Sequence, residues 1–191
     1  MRKFNGLRPQ DVGLLLLLIA HPDRVWRGKD LARALHLSAS EVSEALGRCR
    51  FSRLLATDPD QLRVHHHALL EFLCYGVPYA FAIQPGNLVR GLVTGASAPP
   101  LAVVFSPEPV YVWLMASGEQ WGVAVEPLYP QAPLAASRDA RLHEMLALID
   151  ALRLHRPREV TQARQLLRHL LLAASAPSAP ATTLLHGSGT A

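Results

Sequence analysis

Cysteine is scarce in this chain: Cys49 and Cys74 are the two in 191 residues. Two thiols so far apart make neither a disulfide framework nor a zinc cluster. Charged residues are also few, at 18% against 50% hydrophobic, which excludes an intrinsically disordered protein. Long apolar runs are missing. The run at 12–20 spans nine residues, too short to cross a bilayer. Arg2 and Lys3 ahead of it sketch a signal peptide, but Asp11 abuts the run and no small-x-small cleavage site follows before Trp26. A cytoplasmic protein without membrane contact is therefore expected. No GxxxxGK[ST], GxGxxG or HExxH occurs, and no nucleophile–base pair stands out. The sequence accordingly predicts no enzyme, no catalytic residue, no cofactor and no metal.

The charge that is present lies at the ends. Residues 1–64 hold 11 Lys/Arg against 7 Asp/Glu, residues 65–133 hold 1 against 4, and residues 134–191 hold 7 against 4. The front surplus falls on residues 28–53, GKDLARALHLSASEVSEALGRCRFSR. Leu31, Ala32 and Leu35 share one face of a short helix. His36 and Leu37 interrupt the period. Ser38 followed three residues later by Glu41 is a capping box, and a second helix then buries Val42, Ala45, Leu46 and Cys49. Cys49 is thus read as inert packing. Two short helices joined by such a turn form a helix-turn-helix, whose second helix suits a major groove. Ala32 is small where the helices cross, His36 occupies a turn position that favours φ > 0, and Val42 plugs the angle. A plain helical hairpin has the same outline.

This segment resembles the helix-turn-helix of winged-helix bacterial regulators of the MarR type, with His36 as its departure where glycine is commonest. The resemblance extends through ALLEFLCYGVPYAF (68–81), RGLVTGASAPPL (90–101), EPLYP (126–130) and LHEMLALIDALRLHRPRE (142–159), up to about Leu171. It implies sequence-specific binding to double-stranded DNA. It brings no catalytic residue and no effector. On this reading the exposed arc of the second helix is Ala39, Ser40, Ser43, Glu44, Gly47 and Arg48. The serines bond to several base edges, Glu44 accepts from a cytosine amino group, Arg48 takes guanine or a phosphate, and Gly47 permits close approach. Ser38 sets the start of that helix and is counted with the DNA-binding residues. Arg27, Lys29, Arg50 and Arg53 are phosphate candidates, and Arg63 flanks the wing. So few basic contacts call for a homodimer on two half-sites. An antitoxin-like or adaptor protein, using the winged helix to hold a protein partner, stays open.

The fold class expected is α+β: an N-terminal winged helix-turn-helix, then a small β-hairpin and a helical C-terminal region. Residues 1–75 form the first domain. It comprises a basic arm, an enclosed helix at 9–20, a strand at 25–27, a wing of strands 54–57 and 62–64 about an aspartate-bearing turn, and a helix at 68–75. His65, His66 and His67 open that last helix, where neighbours diverge by about 100° and cannot converge on one metal. Residues 76–100, rich in Gly and Pro with Arg90 their only charge, read as a connector or a partner contact. In 101–173 an apolar run (101–105) precedes a hairpin (110–116 with 120–126) turning at 117–119, with Trp113 and Trp121 paired across it. Two closing helices (139–154 and 159–174) offer a dimerisation or partner surface, and the tail 174–191 is expected to be disordered.

Overall fold

A helix with no polar side must be enclosed, and α1 (Pro9–Ala20) obeys: Leu14, Leu15, Leu16 and Leu17 are fully buried in the computed structural model. The structure describes residues 6–58 and 62–173. The first five residues of the basic arm, the tip of the wing turn at 59–61 and the tail lie outside them. Proline at N1 starts α1, where its missing N–H is no loss. The helix packs against α2 (Gly28–Leu35) and α3 (Ala39–Phe51) on one side and α7 (Ala140–Arg153) on another. The protein is α+β, with helices around one small sheet.

Several expected elements take another form. Residues 25–27 are not a strand. Val25 is 89% exposed while Trp26 is buried, and among the described residues no strand pairs with them. The two wing strands shrink to a single antiparallel bridge, Leu55 with Val64, flanked by Ala56 N–H to Arg63 carbonyl (2.8 Å) and His65 N–H to Leu54 carbonyl (2.9 Å). The following helix outruns its expected end: α4 (His66–Glu71) passes through a π-turn, Phe72–Gly76, into α5 (Val77–Ala80). Pro78 has no N–H to return to Cys74. The wider turn absorbs that gap, and Arg164 donates to the freed Cys74 carbonyl at 3.2 Å.

The supposed connector supplies the central strand of the sheet. β1 (Leu88–Val93) pairs antiparallel with both β2 (Tyr111–Leu114) and β3 (Gln120–Ala124), and β2 and β3 lie parallel, closing the three strands on themselves. The hairpin is thus overturned. Residues 115–119 cross over β1 instead of doubling back, and they pass so close that a Cβ on Gly118 would collide with the Gly91 backbone. A Cβ on Gly91 would in turn collide with the Trp113 carbonyl. Glycine is required at both positions because backbone meets backbone. Trp113 faces Leu92 and Trp121 faces Arg90, so the two tryptophans do not pair. The apolar run at 101–105 forms a 3₁₀ turn, Leu101–Val103, that buries Leu101 and leaves Val103 exposed.

Three more helices follow among the described residues: α6 (Ala132–Ala136), α7 and α8 (Pro157–Ala173). Leu142, Leu146, Ile149 and Leu152 are buried along α7 as their spacing predicts. Asp150 and Arg153 are buried with them, so α7 from 145 to 153 has no side left for a second copy of the chain. Asp150 accepts from Trp113 Nε1 (2.6 Å) and Thr94 Oγ1 (2.7 Å) at one oxygen and from Arg153 (2.6 Å) at the other. Burial pushes its carboxyl above the ordinary range, against the pull of Arg153, Thr94 and Trp113. Arg153 also donates to the carbonyls of Phe81 and Glu126. This cluster fastens both ends of the sheet region to α7. A continuous apolar core runs from Val12 to Leu171, with no break in packing at 76 or 101.

Candidate nucleic-acid interface

α2 stops because His36 adopts the left-handed conformation (φ 54°, ψ 40°). Leu37 N–H reaches back to the Ala32 carbonyl at 3.0 Å and His36 N–H to that of Arg33 at 3.4 Å, the two bonds of a Schellman motif. The chain then turns directly into α3. Ser38 Oγ accepts from Glu41 N–H (3.2 Å) while Glu41 returns a carboxylate to Ser38 N–H (2.8 Å). The capping box is complete. Val42, Ala45 and Cys49 seat α3 on the core with at most 1% exposure. Leu46, at the edge of that stripe, is only partly buried. Burial pushes the Cys49 thiol up to about 12, which keeps it protonated and inert.

The cap carries a measurable expectation. Ser38→Ala removes an acceptor and should cost about 0.5–2 kcal/mol, read by chemical denaturation. Glu41 is held below its ordinary value of 4.5 by the Ser38 N–H and hydroxyl. Its folded pKa is depressed, so its contribution is present above pH 4.5 and fades as pH falls through the lower folded value. Melts across that window should show wild type losing stability relative to Glu41→Gln, and parallel curves would remove the linkage.

The outward side of α3 presents Ser40, Ser43, Glu44 and Gly47 to solvent. A Cβ on Gly47 would meet nothing within 4 Å. Lys29 and Arg27 are exposed at the start of α2, Arg53 follows α3 at φ 57°, and Arg63 is exposed beside the bridge. Ser38 is exposed as well, although its hydroxyl is occupied by the cap. Arg50 is half-buried with its Nε enclosed.

Arg48 does not belong to this arc. It is 7% exposed, and its Nε and one terminal nitrogen each donate to Asp11 at 2.7 Å, forming a two-pronged pair with α1. The Asp11 hydrogen bonds raise its pKa further. Glu44 lies 3.4 Å from its other terminal nitrogen. A guanidinium committed in this way cannot read a base. Asp11 is the residue that sequence reasoning missed. A carboxylate one turn into an otherwise apolar, enclosed helix demands a cation, and that demand was the available signal.

The three histidines also separate. His66 Nδ1 donates to the Leu171 carbonyl at 2.7 Å, while His65 and His67 face solvent. Among the described residues no group of three or more His, Cys, Asp or Glu could hold a metal ion, and no helix is long and apolar enough to cross a membrane. Arg90 is exposed on β1 opposite Trp121. Comparison with family models, with curated proteins and with solved structures finds no match to this chain.

Proposed function

We propose that this protein is a sequence-specific DNA-binding transcriptional regulator acting in the cytoplasm, with α1 to α3 and the 54–65 ribbon serving as a winged helix-turn-helix. The observation that carries this reading is the capped α3 behind a left-handed turn, with Ser40, Ser43 and Gly47 outward and Val42, Ala45 and Cys49 inward. Ser40, Ser43 and Glu44 read base edges in the major groove. Arg27, Lys29, Arg53 and Arg63 neutralise phosphates. A homodimer reaches two half-sites about one helical turn apart. Its interface lies off residues 145–153 of α7, which are enclosed.

Selection of duplexes from a random pool, followed by anisotropy titrations of the enriched and a scrambled duplex at two salt concentrations, tests the proposal. Enrichment of one motif is expected, with log affinity against log salt falling at a slope of about −3 to −4 per protomer for four phosphate contacts. Light scattering on the complex should give two chains per duplex. A pool that enriches nothing would sink the regulator reading. The second reading, an adaptor for a protein partner, draws on Phe51, an apolar ring 70% exposed at the end of α3. Duplex binding that survives only as weak, sequence-blind association would favour it.

A further inference from the structure

Away from the outward side of α3, a cleft of about 270 Å³ opens where α2 meets the corner between α6 and α7. Arg24 from the loop before α2, Arg33 from α2 and Arg138 from the corner all line it, with His36 of the left-handed turn. None of the three arginines has a carboxylate partner among the described residues; Arg24 instead lies over the Trp26 ring, 3.9 Å from its centroid. Two acids share the cleft. Asp139 is already occupied: one oxygen caps α7 at Leu142 N–H (3.1 Å), and the other accepts from His21 Nε2 (2.6 Å). Asp30 makes no ion pair with any of the arginines, and two carboxylates do not balance three guanidinium groups. Trp26, 9% exposed, also lines the wall.

We infer that this cleft is a binding site for a small oxyanion, a carboxylate or a phosphate, held by Arg24, Arg33 and Arg138 beside Trp26. Guanidinium forks match the two-oxygen faces of these anions and bind them more strongly than neutral donors do. The cleft is smaller than the pockets of about 300–1,000 Å³ that take drug-sized ligands, which restricts the occupant to a compact anion. The positive potential is already felt by His36: burial and the nearby Arg138 charge both hold its pKa below the ordinary value. None of the residues proposed to face DNA lines the cleft. An anion there would tie α2 and its turn to the C-terminal half of the chain.

The test uses the full chain without DNA. Sodium phosphate and sodium malonate are titrated separately, each against sodium chloride of equal ionic strength, and followed by calorimetry and thermal melting. Wild type is expected to show saturable binding and a Tm rise of about 3–6 °C at ten times Kd. Arg138→Gln and Arg33→Gln should each weaken binding roughly tenfold or more, the loss of a charged hydrogen bond. A stronger response to phosphate, or to malonate, supports the site and identifies the oxyanion it prefers. If Arg138→Gln fails to fold, the exposed Arg33→Gln carries the comparison. Wild type responding no more than to chloride overturns the inference, as does an unchanged response in the folded variants. With no duplex present, the anion result stands whichever way the DNA-binding test falls.

Discussion

Arg48→Ala is expected to destabilise the fold by about 3–5 kcal/mol, the usual cost of leaving one charge of a buried pair alone. In a chain of this size that corresponds to a fall in Tm of about 6–20 °C. The expectation rests on Asp11, which is fully buried and takes two donors from Arg48. Arg8 N–H also donates to Asp11 at 2.8 Å. That bond softens the loss but cannot replace a guanidinium. Replacing both partners should behave differently. Asp11→Leu with Arg48→Met removes both desolvated charges and is expected to lie near wild type or above it. Urea melts of the single and double variants decide the matter. A loss under about 1 kcal/mol in Arg48→Ala would mean that Asp11 finds another partner or a proton. In protein that is still folded, the same substitution should leave discrimination between specific and scrambled duplexes unchanged, because the side chain faces α1 rather than solvent.

The second large effect is expected at Asp150. Asp150→Ala strands the Thr94 hydroxyl, the Trp113 indole N–H and part of Arg153 in a region closed to water. Loss of about 3–5 kcal/mol follows, as for other buried charges deprived of their counterpart. Thr94→Val removes one donor of three and should cost only about 0.5–1.5 kcal/mol. The ratio between the two is the informative quantity. Equal losses would mean that Thr94 acts through packing and that the cluster is not centred on the carboxylate. Because β2 is tied to α7 through Trp113, Asp150→Ala should also shift the tryptophan emission of folded protein, an effect absent in Thr94→Val.

What could be read along the chain was whatever is decided within a few residues. The Ser38–Glu41 reciprocity, the left-handed turn at His36 and the buried stripe of α7 all follow from neighbours in sequence, and the structure matches them. The enclosure of α1 was legible for a similar reason, since twelve residues without a polar side leave no alternative. Arg48 was misread because it sits at the edge of the α3 stripe, and its direction is fixed by Asp11, 37 residues away. The sheet was hidden more thoroughly. Arg90 and Gly91 interrupt the apolar pattern of β1, and Gly91 is there because another backbone crosses it, not because the chain loops freely. The turn at 117–119 suggested a hairpin for the same reason. Its glycine serves a crossing rather than a reversal, which local pattern cannot distinguish.

A sheet that closes on itself has no rim. Open sheets end in strands whose unpaired N–H and C=O groups can recruit a strand from another molecule. Here β1 holds both neighbours, and those neighbours hold each other. Much of the backbone ladder is therefore spent internally, which leaves less of it to recruit a second copy of the chain or a fibril. Side chains stand exposed on both sides of it: Leu88 and Trp121 at 66% and 64% on one, Leu114 at 69% on the other. Side-chain contacts are set by shape and chemistry where backbone pairing is indifferent to sequence. The crowded glycine crossing thus makes the surface of this sheet selective about what it touches.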